Sequence, residues 1–148
     1  MWSIGCVLME LFSGETLFQT HDNVEHLAMI ERLVGGIPAS MQIGHRETET
    51  LTHQYGNGAR LPAVVPAGAA PRGEVLFGAD GRVKYPDSKA TAKSEKRVRG
   101  MRLLNEYFAN PACPEEAMLR DLMQRLLVCE PEKRIGAFEA LQHPFIKE

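Results

Sequence analysis

The sequence predicts a mainly α domain with one small β-hairpin, and three observations lead there. The chain opens on MWSIGCVLMELFSG, a run that is apolar on every side at helical pitch. Two later segments, NVEHLAMIERLVGG and EEAMLRDLMQRLLVCEP, space their apolar residues three and four apart. Between them, EVLFGADGRVKYP sets two short apolar runs around Asp80 and Gly81, a strong signal for a tight hairpin turn.

In the opening segment Trp2, Ile4, Val7, Leu8, Met9, Leu11 and Phe12 point in all directions, and Glu10 is the only charge. A secretory signal needs a basic start before its apolar run, and no Lys or Arg precedes Arg32. A membrane span needs about 20 apolar residues, whereas Ser13, Gly14, Glu15 and Thr16 stop this run. What remains is a buried core helix, closed by Gly14, that wants neighbours all round.

A chain of 148 residues fits one domain with a core of its own. Its net charge of −2 gives no global attraction to nucleic acid or an acidic membrane, so partners are to be sought locally. Cys6, Cys113 and Cys129 are odd in number and far apart, with no CxxC and no paired His nearby. Neither a zinc site nor a disulfide framework follows, and reduced thiols fit an intracellular compartment.

The second helix, over 22–35, begins at Asp22, with Glu25 three residues on in the form of a capping box, and ends at Gly35 and Gly36. Its Val24, Leu27, Ala28, Ile30, Leu33 and Val34 repeat at helical spacing, while Glu25, His26, Glu31 and Arg32 take the other side. From about Ile37 the pattern dissolves, and the Gly, Ala and Pro of GNGARLPAVVPAGAAPRG read as a flexible insertion over 37–73. The hairpin follows, ended by Pro86, and then a partly helical stretch carries Lys89, Lys93, Lys96, Arg97, Arg99 and Arg102 against the single acid Glu95. In the next helix Met118, Leu119, Leu122, Met123, Leu126 and Leu127 share one face, and Pro131 forbids its continuation. A last short helix, GAFEALQHPFIKE, closes the chain.

Taken in order, WSIGC, GETLF, THDNVEHLAMIERLVG, LLVCEPEKRI and ALQHPF resemble the C-terminal lobe of a eukaryotic protein kinase. EHLAMIER, Glu25 to Arg32, resembles the EHLAMMER signature of the LAMMER, or CDC-like, dual-specificity kinases of the CMGC group, with Ile30 where that family has Met. The resemblance implies an incomplete kinase domain over 1–148. Residues 1–14 would be helix F and 22–35 helix G, with a CMGC-type insert and its hairpin over 74–110 and terminal helices over 115–148. It makes Trp2, Gly5, Val7, Leu11 and Arg134 structural positions, Arg134 being the family Arg that pairs with the Glu of an APE motif. That Glu is absent from this sequence, so a buried Arg134 is expected to be a costly unpaired charge.

The same resemblance gives the EHLAMIER helix a docking role, through Glu25, His26, Glu31 and Arg32. The basic stretch, through Lys96, Arg97 and Arg99 among others, is open to acidic or phosphorylated partners; it has no base-reading motif and no aromatic ladder, so nucleic acid is disfavoured. His26 is not part of HExxH and is read as a surface or packing residue, while His143, Pro144 and Phe145 are expected to cap the last helix.

The chain contains no GxGxxG, no GxxxxGK[ST], no HRD and no DFG, and Asp80 reads as a turn residue. No catalytic, cofactor-binding or metal-ligating residue is therefore assigned. Phosphoryl transfer is nearly all positioning and charge stabilisation, so this chain alone is expected to be inactive, with ATP and Mg belonging to a longer parent. The Asp of the family's DxWxxG pattern would stand just before Met1, which suggests a truncated gene model, a partial transcript or a pseudogene remnant. Two functions are carried forward. One is a fragment of a Ser/Thr or dual-specificity kinase, whose kinase N-lobe and catalytic loop are the missing packing partners. The other is a non-catalytic binding module or pseudokinase remnant that uses helix G and the basic insert. Arg/Ser-rich protein substrates and nuclear residence are what the resemblance implies, and no membrane association is expected.

Overall fold

Helix α1, Trp2–Ser13, ends as its sequence requires: Gly14 takes the left-handed conformation at φ 73° and its N–H donates to the Glu10 carbonyl. One face of the helix lies against a later helix, α4, Pro114–Leu126. There Gly5 lets the two helices approach closely, because a Cβ would stand 2.9 Å from Leu127 Cδ2 and 3.1 Å from Leu126 Cβ and would force Leu127 to shift. Met9 beside it is completely buried. A computed structural model describes residues 1–42, 76–108, 110 and 112–147.

The expectation of neighbours all round α1 is met on one side only. Ile4, Val7, Leu11 and Phe12 are exposed, Leu11 by 77%. Phe12 is steadied by stacking on Phe108, with ring centroids 5.0 Å apart. Trp2 is half-buried, with the Arg134 guanidinium 5.4 Å from its ring centre.

Helix α2, Asn23–Val34, starts at Asp22, whose Oδ1 accepts the N–H groups of Val24 (2.9 Å) and Glu25 (2.8 Å). Only half of the expected capping box forms. Thr20 Oγ1 accepts the Asp22 N–H and itself donates to Glu25 Oε2, so Glu25 is drawn inward instead of bonding back to Asp22. The helix ends at Gly35, φ 98°, with Ala28, Met29 and Leu33 buried.

Of the expected flexible insertion, 43–73 lies outside the described residues. At its start the irregular reading fails, since Ile37 is buried and 39–42 is helical. The hairpin is reduced to one antiparallel bridge, Phe77 with Val83, and no strand is present among the described residues. The turn is also displaced by one residue. The Gly78 carbonyl accepts from Gly81, Gly81 takes φ 74°, and among the described residues none other than glycine has positive φ, so Asp80 is not a centre of a two-residue primed turn. Across the bridge the Gly78 N–H donates to the Arg82 carbonyl and the Lys84 N–H to the Leu76 carbonyl, and the pairing stops where the Tyr85 N–H turns to the Val83 carbonyl; the Val83 N–H points away from the bridge and is donated to Glu31 Oε2 on α2. Phe77 and Val83 are buried together beneath α2.

The basic stretch forms α3, Ala92–Gly100, capped by Thr91 Oγ1 on the Ser94 N–H, with Val98 its only buried side chain. It packs on α2. A 3-10 turn, Leu104–Tyr107, leads on to α4, whose Leu119, Leu122, Met123 and Leu126 are buried as their spacing predicts. The expected last helix is two: α5, Ala137–Ala140, and α6, Pro144–Lys147, divided where Pro144 cannot supply a helical N–H.

Two apolar clusters result. One joins Met9, Leu33, Leu122, Met123 and Leu126; the other joins Ala28, Met29, Ile37, Phe77, Val83 and Val98. Phe18 and Met101 touch both. Among the described residues no helix is long and apolar enough to cross a membrane.

Candidate functional site

The residues assigned to docking lie where α2 meets α3, and the structure divides them. Glu25 is buried, and its Oε1 is 3.1 Å from Arg97 Nη1, which also donates to the Gln19 carbonyl at 2.5 Å. The Glu25 carboxylate and Arg97 Nη1 are thus engaged with each other, α2 with α3; Glu25 does not take the outer side of its helix as its spacing suggested. Glu31 is half-buried and holds the Val83 N–H. Arg32 is exposed yet anchored, its Nε donating to the Met101 carbonyl at 3.1 Å. His26, Lys96 and Arg99 stand on the surface, His26 against the Phe18 ring at 5.0 Å and Arg99 beside Glu95 at 3.4 Å.

Arg134 is not left unpaired by the absence of an acidic partner. Its Nε donates to the Val128 carbonyl and its Nη2 to the Cys129 carbonyl, both at 2.8 Å, at the end of α4. Such charge-assisted bonds, with the Trp2 ring above, satisfy a half-buried guanidinium without a carboxylate. Gly5 sits in the α1–α4 contact, while Val7 and Leu11 face outward.

Sequence reasoning missed one pair. His143 is buried, its Nε2 2.8 Å from Asp121 Oδ2, and Arg125 Nη2 lies 3.0 Å from the same oxygen. The hydrogen bond from His143, helped by Arg125, holds the Asp121 carboxyl below its usual range against the opposing effect of burial. His143 Nδ1 accepts the Phe145 N–H. With both ring nitrogens engaged, this pair ties α4 to α6 and offers no base to a substrate. Only the Asp121–Arg125 spacing of four was legible in advance.

Burial raises the Cys6 and Cys129 thiols above their usual range, the opposite of what a nucleophile needs. Among the described residues no three His, Cys, Asp or Glu side chains gather as metal donors. The arrangement can therefore present charged surface on a fixed helix pair.

Comparison with known proteins gives a consistent result. The protein kinase domain family matches residues 1–146. The chain is similar to the dual specificity protein kinase lkh1 of Schizosaccharomyces pombe, 36% identical over 148 residues, covering 100% of this chain and 18% of that protein. It is similar to the serine/threonine-protein kinase AFC3 of Arabidopsis thaliana, 35% identical over 99% of this chain and 31% of that one. It is similar also to the dual specificity protein kinase CLK2 of Homo sapiens, 34% identical over 98% of this chain and 23% of that one. A crystal structure of a kinase domain matches with a TM-score of 0.68 and 27% identity, covering 99% of this chain and 35% of that chain. The chain thus spans between 18% and 31% of the length of these three relatives.

Proposed function

This chain belongs to the protein kinase domain family, in the LAMMER, CDC-like branch of the CMGC group, and from that premise we propose that it builds the helical large lobe of a protein kinase. In this reading α1 is helix F, α2 is helix G, and residues 74–110 are the group's insert. The whole protein transfers the γ-phosphate of ATP to Ser or Thr hydroxyls, and to Tyr if it shares the dual specificity named for its relatives. Arg/Ser-rich substrates and nuclear residence belong to the same proposal and are supported by the family alone.

The observation that carries it is the two-sidedness of α1. Gly5 and Met9 are packed to contact against α4, while Ile4, Val7 and Leu11 on other sides of the same helix are exposed. That is the surface expected of a central helix which the rest of a lobe covers.

The residues of this chain do not fit MgATP. The sequence has no glycine-rich phosphate loop, HRD or DFG, and the described residues bring together no metal donor set. No step of phosphoryl transfer is assigned to them. Their part is to hold α2 and α3 in register through Glu25–Arg97 and Arg32–Met101, and to present His26, Lys96 and Arg99 to a protein partner.

A chimera tests this. Residues 1–148 replace the matching stretch of the fission-yeast lkh1 kinase, and transfer from ATP to an Arg/Ser-rich peptide is measured beside the 148-residue chain alone. The chimera is expected to phosphorylate the peptide and the chain alone to bind no MgATP. A folded, MgATP-binding chimera without transfer would overturn the kinase reading in favour of a binding module, as would transfer by the isolated chain for its predicted inactivity.

A further inference from the structure

Away from the apolar face of α1, the basic stretch shapes a groove. It has a volume of about 470 Å³ and lies between the loop after α1, with Gly14, Glu15 and Thr16, and the end of α3, with Arg97, Gly100 and Arg102. The guanidinium of Arg102 rests over the Tyr107 ring, 4.1 Å from its centre. Stacking engages the face of a guanidinium and leaves its N–H edge available, and it fixes a side chain that would otherwise be mobile. Arg102 has no carboxylate or carbonyl partner among the described residues.

Arg97 is prepared in a different way. Its Nη1 is held by Glu25 and the Gln19 carbonyl, while its Nε and Nη2 have no partner among the described residues. Two arginines are therefore oriented before anything binds, one by an aromatic ring and one by a buried carboxylate. Lys93, Lys96 and Arg99 on α3 add a positive field next to them.

We infer that this groove is a docking site for a phosphorylated peptide segment, its phosphate received by Arg102 and Arg97. A phosphoserine or phosphothreonine brings a charge of roughly −1.5 to −2 and three acceptor oxygens, which match guanidinium forks. A nucleic-acid strand is the poorer fit. Strand binding uses open aromatic faces for base stacking, and the one ring in the groove, Tyr107, is covered by Arg102. Glu15 on the opposite rim disfavours a weakly charged ligand and sets a requirement for a full phosphate. The inference concerns binding alone and holds whether or not the whole protein is a kinase.

The test is fluorescence anisotropy of the 148-residue chain with a labelled Gly/Ser peptide carrying two phosphoserines, its unphosphorylated twin and a thymidine oligonucleotide. The phosphopeptide is expected to bind and the twin not to. Arg102→Gln should weaken binding about tenfold, the loss of one charge-assisted fork. Arg120→Gln, which removes an equal charge from α4 outside the groove, should change it by less than about twofold. Glu15→Gln should tighten binding, because it removes the only acid among the groove's lining residues. All three positions are exposed, so unchanged circular dichroism spectra are expected. Equal binding of the two peptides, equal losses for Arg102→Gln and Arg120→Gln, or tighter binding of the oligonucleotide would each overturn the inference, the last in favour of a nucleic-acid site.

Discussion

Replacing Glu25 by glutamine keeps the shape of the side chain and deletes the charge that joins α2 to α3. Its side chain is 9% exposed, accepts from the Thr20 hydroxyl at 2.8 Å and lies 3.1 Å from Arg97. Breaking a fully buried ion pair costs about 3–5 kcal/mol because a charge is left orphaned. Here the orphan is Arg97, whose side chain is 33% exposed and keeps the Gln19 carbonyl, so water relieves much of that penalty. Adding the weakened hydroxyl bond, the loss comes to about 2 kcal/mol. For a chain of this size that is a fall of roughly 8 °C in melting temperature, read by circular dichroism at 222 nm.

A double-mutant cycle isolates the pair. Arg97→Gln alone leaves Glu25 buried and unpaired, whereas the double variant leaves neither charge, so the two losses should fall short of adding by at least about 1 kcal/mol. The coupling should persist in half-molar salt, since a shielded pair is screened little. A coupling below about 0.5 kcal/mol, or one abolished by salt, is the signature of a surface pair. That result would refute the structural role argued here and return Glu25 and Arg97 to the exposed docking face.

Three further outcomes are expected. Leu11→Lys, at a 77% exposed position, should lower the average mass of the isolated chain in sedimentation without reducing helicity, yet abolish activity in the lkh1 chimera; helix loss in the isolated chain would count against an uncovered face. Arg134→Gln should destabilise by about 2 kcal/mol through two lost charge-assisted bonds, and Trp2, the single tryptophan, should report it as a shift in fluorescence emission, an unchanged spectrum excluding the contact. The third concerns acid. Because His143 and then Arg125 hold the Asp121 carboxyl below its ordinary value, the folded state favours the ionised form. Its contribution is present above the ordinary aspartate value of about 3.9 and is lost as pH falls through the lower, folded value. Asp121→Asn should flatten the fall in melting temperature between about pH 5 and pH 2.5, and an equally steep fall in variant and wild type would dispose of the pair as a source of acid sensitivity.

The parts legible in the sequence were those set by residues within a turn or two of each other. Asp22 capping α2, Gly14 and Gly35 ending their helices, and the buried stripe of α4 follow from backbone donors and acceptors that must be satisfied locally and from a period that chooses one face. The order of the quoted segments was enough to indicate the kinase family. What local pattern could not supply was which charges would be consumed inside. Glu25 and Arg97 are 72 positions apart, and Asp121 and His143 22 apart, and nothing near any of them marks its partner.

The hairpin shows the boundary most clearly. Asp80 and Gly81 did mark a chain reversal, but the Val83 N–H points away from the opposing segment, and only the packing of α2 over it supplied the Glu31 carboxylate as its partner. Likewise the composition of α1 demanded burial on all sides, while the tertiary structure determined which side α4 would cover and left Ile4, Val7 and Leu11 outward. Local hydrogen bonding and periodicity are properties of a short stretch of chain and are fixed by its residues. Burial and charge pairing are properties of two stretches at once, and they are settled only when distant elements meet.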